Sequence, residues 1–233
     1  MKKGLTMNFI LHINATDNTP VEISYSTVSR FPMSFNVLGI EFTLTQSSEY
    51  SLTEYSLSFI PSEEICLNSI SLVLPFEQNS LGGELPLVMF DNKMSTNAFA
   101  QIVQLSENNG DIRSREIVTV HSKRGDLNAA FTTFERFYTE FVTNGKYVKA
   151  VWHLENKRIF PGKEYLLEKL ALDDSLDALE FFERYTQTLH DRYAIKDMKV
   201  VPAGWSSWSC LYNNVDEQAV LSGAVVDVLG LGC

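Results

Sequence analysis

The fold class of this chain is decided by the stretch EFVTNGKYVKAVWHL, residues 140–154. Apolar side chains occupy every second position over Val148–Leu154, which is the period of a β-strand with one buried face. Asn144-Gly145 precedes this run and supplies the positive φ angles that a tight hairpin needs. The stretch therefore predicts two adjacent antiparallel strands.

The same alternation extends along the chain from Met7 to about Leu172. It is clear in Met7–Asn14 and in Leu38–Leu44, and turn sequences separate the runs. Asn108-Asn109-Gly110-Asp111 predicts a further hairpin, and Phe160-Pro161-Gly162 predicts a further break. Many short strands joined by polar turns are typical of an antiparallel sandwich rather than of a parallel βαβ sheet. We therefore predict a mainly β fold.

One aromatic segment fits two interpretations. Phe131, Phe134, Phe137 and Phe141 are spaced as on one face of a helix, whereas the neighbouring threonines and the Asn-Gly turn favour a strand. The residues alone leave both interpretations open, and in either case an aromatic stripe indicates core.

The composition changes near Asp173, where a helix is predicted. Asp174 is a candidate N-cap with Asp177 three residues on, and apolar residues then recur at steps of three and four. This pattern predicts an amphipathic helix over Asp174–Tyr193. Its apolar positions are Leu176, Leu179, Phe182, Tyr185, Leu189 and Tyr193. Its charged positions, predicted to form a solvated face, are Glu180, Glu183, Arg184, Asp191 and Arg192.

Composition excludes several functional classes. The chain has 19 basic and 29 acidic residues and a net charge of −10, which argues against nucleic acid or an anionic membrane surface as a partner. No apolar run is long enough to span a bilayer. Cys66, Cys210 and Cys233 are odd in number and widely spaced, so neither a disulfide framework nor a zinc site is predicted. We expect a cytoplasmic protein without a metal or a cofactor.

The string VPAGWSSWSC, residues 201–210, is the most informative for function. It follows a short apolar run, Met198–Val201, that has the form of a buried strand. Trp205 and Trp208 place flat apolar rings beside serine hydroxyls, a combination that suits a sugar. From chemistry alone, the two rings fit equally well as core aromatics that close the end of a strand.

This string resembles the P-x-G-W-x-S-W signature at the first barrel strand of the α-galactosidase (melibiase-like) glycoside hydrolases, family 36. The resemblance implies an N-terminal antiparallel β-supersandwich of the galactose-mutarotase-like type over residues 1–172. It implies a linker helix over residues 173–195 and the start of a (β/α)8 barrel over residues 196–233. By motif position, Trp208 and then Trp205 would contact galactose-containing oligosaccharides.

The resemblance also implies that the chain is not catalytic by itself. Enzymes of this family are retaining hydrolases, which need two carboxyl groups presented by later barrel strands. No position in this sequence matches either carboxylate, so no catalytic residue is predicted. Residues 196–233 suffice for one strand and one helix, and the glycine-spaced, almost uncharged tail at 221–233 is unlike the expected barrel helix. We therefore expect a truncated barrel, from a shortened or frame-shifted gene.

Two alternatives accompany this hypothesis. The first is a stand-alone carbohydrate-binding β-sandwich. The second is an aldose-mutarotase-like enzyme, because mutarotases share the supersandwich architecture and use His with Glu. His153 and Glu155 lie two apart, on the same face if the strand continues, and such a pair can carry acid–base chemistry on a sugar. The open edge of a lone barrel strand predicts that residues beyond about Val201 pack onto the sandwich, pair with another copy in a homo-oligomer, or are mobile.

Overall fold

The computed structural model describes residues 7–15, 21–28, 31–48, 50–75, 87–90, 101–104, 111–122, 125–144 and 147–195. All of these belong to one compact unit of the chain, Met1–Ile195. The described strands, in chain order, are β1 (Met7–Ala15), β2 (Val21–Val28), β3 (Met33–Val37), β4 (Ile40–Ser47), β5 (Glu54–Pro61), β6 (Ile65–Pro75), β7 (Leu87–Phe90), β8 (Gln101–Gln104), β9 (Ile112–Ser114), β10 (Ile117–Ser122), β11 (Gly125–Phe131), β12 (Tyr138–Thr143), β13 (Tyr147–Ile159), β14 (Tyr165–Leu166) and β15 (Leu170–Asp173). They are followed by one described helix, α1 (Ala178–Tyr193).

These strands form two antiparallel sheets, which confirms the prediction of a mainly β fold. The six-stranded sheet has the order β2-β1-β6-β13-β12-β9. The nine-stranded sheet has the order β3-β4-β5-β15-β11-β10-β7-β8, and β14 also pairs with β5.

The two sheets pack face to face around one hydrophobic core. Phe131 of the nine-stranded sheet contacts Phe141 and Trp152 of the six-stranded sheet, with ring-centroid distances of 4.6 and 5.6 Å. All three side chains are almost completely buried. Because Phe131 ends β11 and Phe141 lies within β12, the helical interpretation of this aromatic segment is wrong.

The predicted hairpin at Asn144-Gly145 is confirmed. Strands β12 and β13 pair antiparallel, with Tyr138 opposite His153. The hairpin predicted at Asn108–Asp111, between the runs at 101–105 and 116–120, is wrong. The corresponding strands β8 and β10 are separated by β7 in the nine-stranded sheet, and the intervening β9 belongs to the six-stranded sheet. A turn sequence indicates that the chain reverses, but it does not say with which strand the next one pairs.

The alternation predicted for Leu38–Leu44 begins two residues later than expected. Leu38 and Gly39 have φ angles of 52° and 72° and form the two-residue turn between β3 and β4. Leu38 is therefore 50% exposed, whereas Ile40, Phe42 and Leu44 are buried. A leucine in a left-handed turn carries no sequence signal of the Asn-Gly kind.

Helix α1 begins later than the sequence predicts, with Asp177 rather than Asp174 as its N-cap. The Asp177 side chain accepts a hydrogen bond from the Glu180 N–H at 2.8 Å. Asp173 is still in β15, and its carboxylate accepts the N–H groups of Ser175 and Leu176. This Asp turn occupies the residues between strand and helix, which delays the first helical residue.

One face of α1 packs on the nine-stranded sheet. Phe181 and Tyr185 are buried in a small cluster with Ala130 and Ala171, whose short side chains belong to neighbouring strands of that sheet. Leu179 and Phe182, which the pattern places on the buried face, are 68% and 46% exposed. The buried face also carries Arg192, which binds Glu54 of β5, so the apolar stripe alone predicts the wrong rotation. Among the described residues, no helix is long and apolar enough to cross a membrane.

Candidate functional site

The two sequence-predicted sugar contacts, Trp205 and Trp208, lie outside the described residues, as does the whole predicted barrel start at 196–233. Their role stays a prediction. The ionisable groups that the structure describes lie on the two packed sheets and on α1.

A histidine–carboxylate pair lies on the face of the six-stranded sheet that points away from the core. The pair is formed by His153 of β13 and Glu140 of β12, whose neighbours Trp152 and Phe141 point into the core on the opposite face. His153 Nε2 lies 2.8 Å from Glu140 Oε1. Arg113 of β9 donates to the same oxygen at 2.5 Å.

The environment of Glu140 holds it in the ionised form. Its side chain is only 8% exposed, and this burial alone would raise its pKa. The hydrogen bonds from Arg113 and His153 outweigh burial, so the pKa of Glu140 lies below its ordinary value. A histidine oriented by an ionised carboxylate is an arrangement that acid–base chemistry uses.

Glu155, the sequence-predicted partner of His153, is not part of this pair. Glu155 and Asn156 have φ angles of 54° and 60°, and the register of β13 on β6 shifts between His153 and Lys157. This bulge breaks the alternation that would have put Glu155 beside His153, and Glu155 is exposed. In the observed register residue 138 lies opposite residue 153, which makes Glu140 the diagonal neighbour of His153.

A cleft of about 340 Å³ lies beside this pair. We call it the 134–139 cleft, because it is lined by residues 134–139 together with Arg115 and Glu116. Tyr138 joins the cleft to the pair, since its ring lies 5.2 Å from that of His153. Phe134 is 42% exposed at the cleft.

The wall of the cleft is fixed by a buried carboxylate. Glu168 is completely buried, and its Oε1 accepts the backbone N–H groups of Glu135, Arg136 and Phe137. Three converging N–H donors bind one carboxylate oxygen, as the N–H groups of a helix N-terminus bind an anion. The segment therefore has a defined backbone although it contains no regular secondary structure.

A second buried ion pair fixes α1. Arg192 donates to both oxygens of Glu54, at 2.8 and 2.6 Å, and to the carbonyl oxygen of Thr132 at 2.8 Å. Glu54 is fully buried and the Arg192 side chain is 9% exposed. Arg192 was predicted on a solvated face, and this prediction is wrong, because the residue lies on the face that meets the sheet.

Glu54 is ionised despite its burial. Burial would raise its pKa, but hydrogen bonds from Arg192 and Thr132 and the charges of Arg192 and Lys169 hold the pKa below its ordinary value. The pKa of Arg192 is raised in turn, since burial, which would lower it, is outweighed by the bond to Glu54. The two groups therefore form a charged pair inside the protein.

The start of α1 is attached to the same sheet. Asp126 of β11 accepts the N–H of Ala178 at 2.8 Å, which adds a second carboxylate to the helix N-terminus. Asn128, two residues further along the strand, donates to the carbonyl oxygen of Leu176 at 2.9 Å. Both ends of the helix are thus tied to the nine-stranded sheet.

In the described part of the chain, no group of three or more His, Cys, Asp or Glu side chains is arranged to hold a metal ion. Comparison with known proteins finds no family model that matches this chain and no curated protein that is significantly similar to it.

Proposed function

We propose that this chain is the N-terminal, non-catalytic region of an α-galactosidase-like glycoside hydrolase. In this proposal residues 1–172 are a galactose-mutarotase-like supersandwich, residues 173–195 a linker helix, and residues 196–233 the start of a (β/α)8 barrel. Trp208, with Trp205 beside it, contacts the sugar of a galactose-containing oligosaccharide. The supporting observation is the order of parts: two antiparallel sheets, a helix attached to them, and then the Gly-Trp-Ser-Ser-Trp string.

The attachment of the helix to the sheet favours a structural role for this region. A linker that carries a catalytic domain keeps a constant position only if it cannot swing on the sandwich. Asp126 binds one end of α1 and Glu54 the other. The helix therefore leaves the sandwich from a fixed point.

Two buried carboxyl groups, Glu54 and Glu140, lack the environment of a general acid. A retaining glycosidase needs a general acid whose pKa is raised, so that it carries a proton at neutral pH. Glu54 and Glu140 have lowered pKa values, because each is bound to an arginine. Their environment is the opposite of the one that a general acid requires.

Two measurements test the proposal. The purified chain is expected to give no protein-dependent hydrolysis of p-nitrophenyl α-galactoside, and turnover abolished by Glu140→Gln in a variant that still folds would refute the non-catalytic role. The second measurement is the DNA sequence beyond codon 233. Further barrel strands carrying two aspartates would support the family assignment, and their absence in every frame would count against it.

A second candidate is aldose mutarotation, which the hydrogen bond between His153 and the ionised Glu140 favours. Polarimetry on freshly dissolved α-galactose tests it. A rate enhancement lost in His153→Ala but kept in His121→Ala, a change in an exposed histidine paired with Asp126, would support this activity. Equal rates with and without the protein would reject it.

A further inference from the structure

The 134–139 cleft has a composition that selects a particular ligand chemistry. Its lining combines aromatic rings with two arginines and two glutamates, Arg115, Arg136, Glu116 and Glu135. The charges cancel, which disfavours a phosphate or another anion. An apolar ligand is disfavoured too, since it would cover ion pairs without offering them hydrogen bonds.

A neutral, hydroxyl-rich ligand satisfies both conditions. A guanidinium has five donors and a carboxylate about four acceptor positions. The partly exposed pair Arg136–Glu135, 3.4 Å apart, can therefore make further hydrogen bonds, although Arg136 also lies 3.8 Å from the buried Glu168. Hydroxyl groups, which donate and accept, match such a surface. The volume of about 340 Å³ lies at the lower end of the range for small-molecule pockets.

The exposed ring of Phe134 offers the apolar surface that sugar recognition also needs. The C–H face of a pyranose packs on an aromatic ring while its hydroxyls reach polar groups at the side. Tyr193, at the end of α1, lies near the Phe134 backbone, and its pKa is raised by burial and by the charge of Glu135. The Phe134 ring is exposed at a cleft whose lining also carries charged groups.

The cleft is also preorganised. The backbone of residues 135–137 is bound to the buried Glu168, and Thr133 Oγ1 accepts the Lys169 N–H at 2.8 Å. A ligand that enters the cleft does not have to order this segment, so less binding energy is lost to entropy.

We infer that the 134–139 cleft is a binding site for a neutral saccharide, with the Phe134 ring as its stacking platform. This inference does not depend on the contacts proposed for Trp205 and Trp208, and it stands or fails independently of the α-galactosidase assignment.

The test is a titration of the full chain with methyl α-galactoside, raffinose, glucose and glucuronate, followed by calorimetry. We expect saturable binding of at least one neutral sugar, with a dissociation constant in the millimolar range and weaker binding of glucuronate. Phe134→Ala should weaken that binding about tenfold, the loss expected for one aromatic contact, whereas Phe134→Tyr should retain it. Phe160→Ala is the matched control, since Phe160 is 49% exposed in the turn that follows β13 and should not affect binding.

Three outcomes would overturn the inference. They are the absence of binding by every neutral sugar, tighter binding of glucuronate than of the neutral sugars, and binding that Phe134→Ala leaves unchanged. Loss of binding in Trp208→Phe but not in Phe134→Ala would assign the sugar to the proposed barrel site instead, so the two proposals are distinguishable. Unfolding curves of each variant confirm that a loss of binding is not a loss of fold.

Discussion

Replacing Arg192 by alanine removes the guanidinium that neutralises Glu54 inside the protein. The arginine donates to both carboxylate oxygens, and the Glu54 side chain has no exposed surface. Removal of one member of a buried pair leaves an uncompensated charge, which typically costs about 3–5 kcal/mol. Lys169 Nζ, 3.9 Å from Glu54, and the Thr132 hydroxyl remain nearby. We therefore expect a loss of about 3 kcal/mol, at the lower end of that range.

Urea unfolding of Arg192→Ala measures this loss, and α1 itself provides the control. Arg184 binds Glu180, which lies one helical turn before it, at 2.6 Å. Both side chains are more than one-third exposed. Such a pair contributes only about 0.3–0.5 kcal/mol, so Arg184→Ala should leave the midpoint almost unchanged. The double variant Glu54→Gln/Arg192→Met should recover part of the loss, because it leaves no buried charge. Equal midpoints for Arg192→Ala and Arg184→Ala would refute the reasoning.

The same pair predicts a pH dependence with a definite sign. The pKa of Glu54 in the folded protein lies below its ordinary value of 4.5. The stabilisation is therefore complete above pH 4.5 and disappears as the pH falls through the lower, folded-state pKa. In Glu54→Gln this acid-side loss should be smaller, which unfolding curves at successive pH values would show.

Three further predictions concern the backbone and a buried phenol. Gly39→Ala should cost about 1–2 kcal/mol of stability, and more than Gly162→Ala. Both glycines have φ near +70°, but only at Gly39 would a Cβ meet a neighbouring atom, the Ser62 hydroxyl oxygen at 2.6 Å. Thermal unfolding of the two variants measures the difference. Asp177→Ala should cost about 1 kcal/mol of stability through loss of the N-cap, whereas Asp174→Ala should not. A larger loss in Asp174→Ala would show that Asp174 is the N-cap, as the sequence predicted. Burial raises the pKa of Tyr55 to about 12, so stability should fall as the pH rises above 10, and Tyr55→Phe should remove that part of the loss.

Local patterns in the sequence were sufficient for the β class and for one hairpin. The alternation at Val148–Leu154 and the Asn144-Gly145 turn act over a few residues, and the structure follows both. Leu38 departs from its local pattern, because its apolar side chain continues the alternation although its backbone is in a turn. The apolar period predicts a strand at this position, whereas the two-residue turn requires a left-handed backbone there.

The candidate site was less accessible from the sequence, since its contacts join distant residues. Glu54 and Arg192 are 138 positions apart, and no local rule distinguishes this arginine from the solvated charges around it. Glu140 was not identified as the partner of His153, because the turn sequence predicts a hairpin without fixing which residues lie opposite each other. The bulge at Glu155 was not predictable either, since two non-glycine residues with positive φ have no clear sequence signature.

The buried charges explain why an irregular segment can line a cleft with a fixed shape. Residues 132–137 form no strand or helix, so their backbone groups need partners elsewhere. Arg192 binds the Thr132 carbonyl oxygen, Glu54 binds the Thr132 hydroxyl, and Glu168 accepts three consecutive N–H groups from residues 135–137. Since Arg192 belongs to α1, the contacts that position the helix also position one end of the cleft wall. The helix attachment and the 134–139 cleft are therefore two parts of one polar network, in which the buried carboxyl groups act as structural ligands for the backbone rather than as reacting groups.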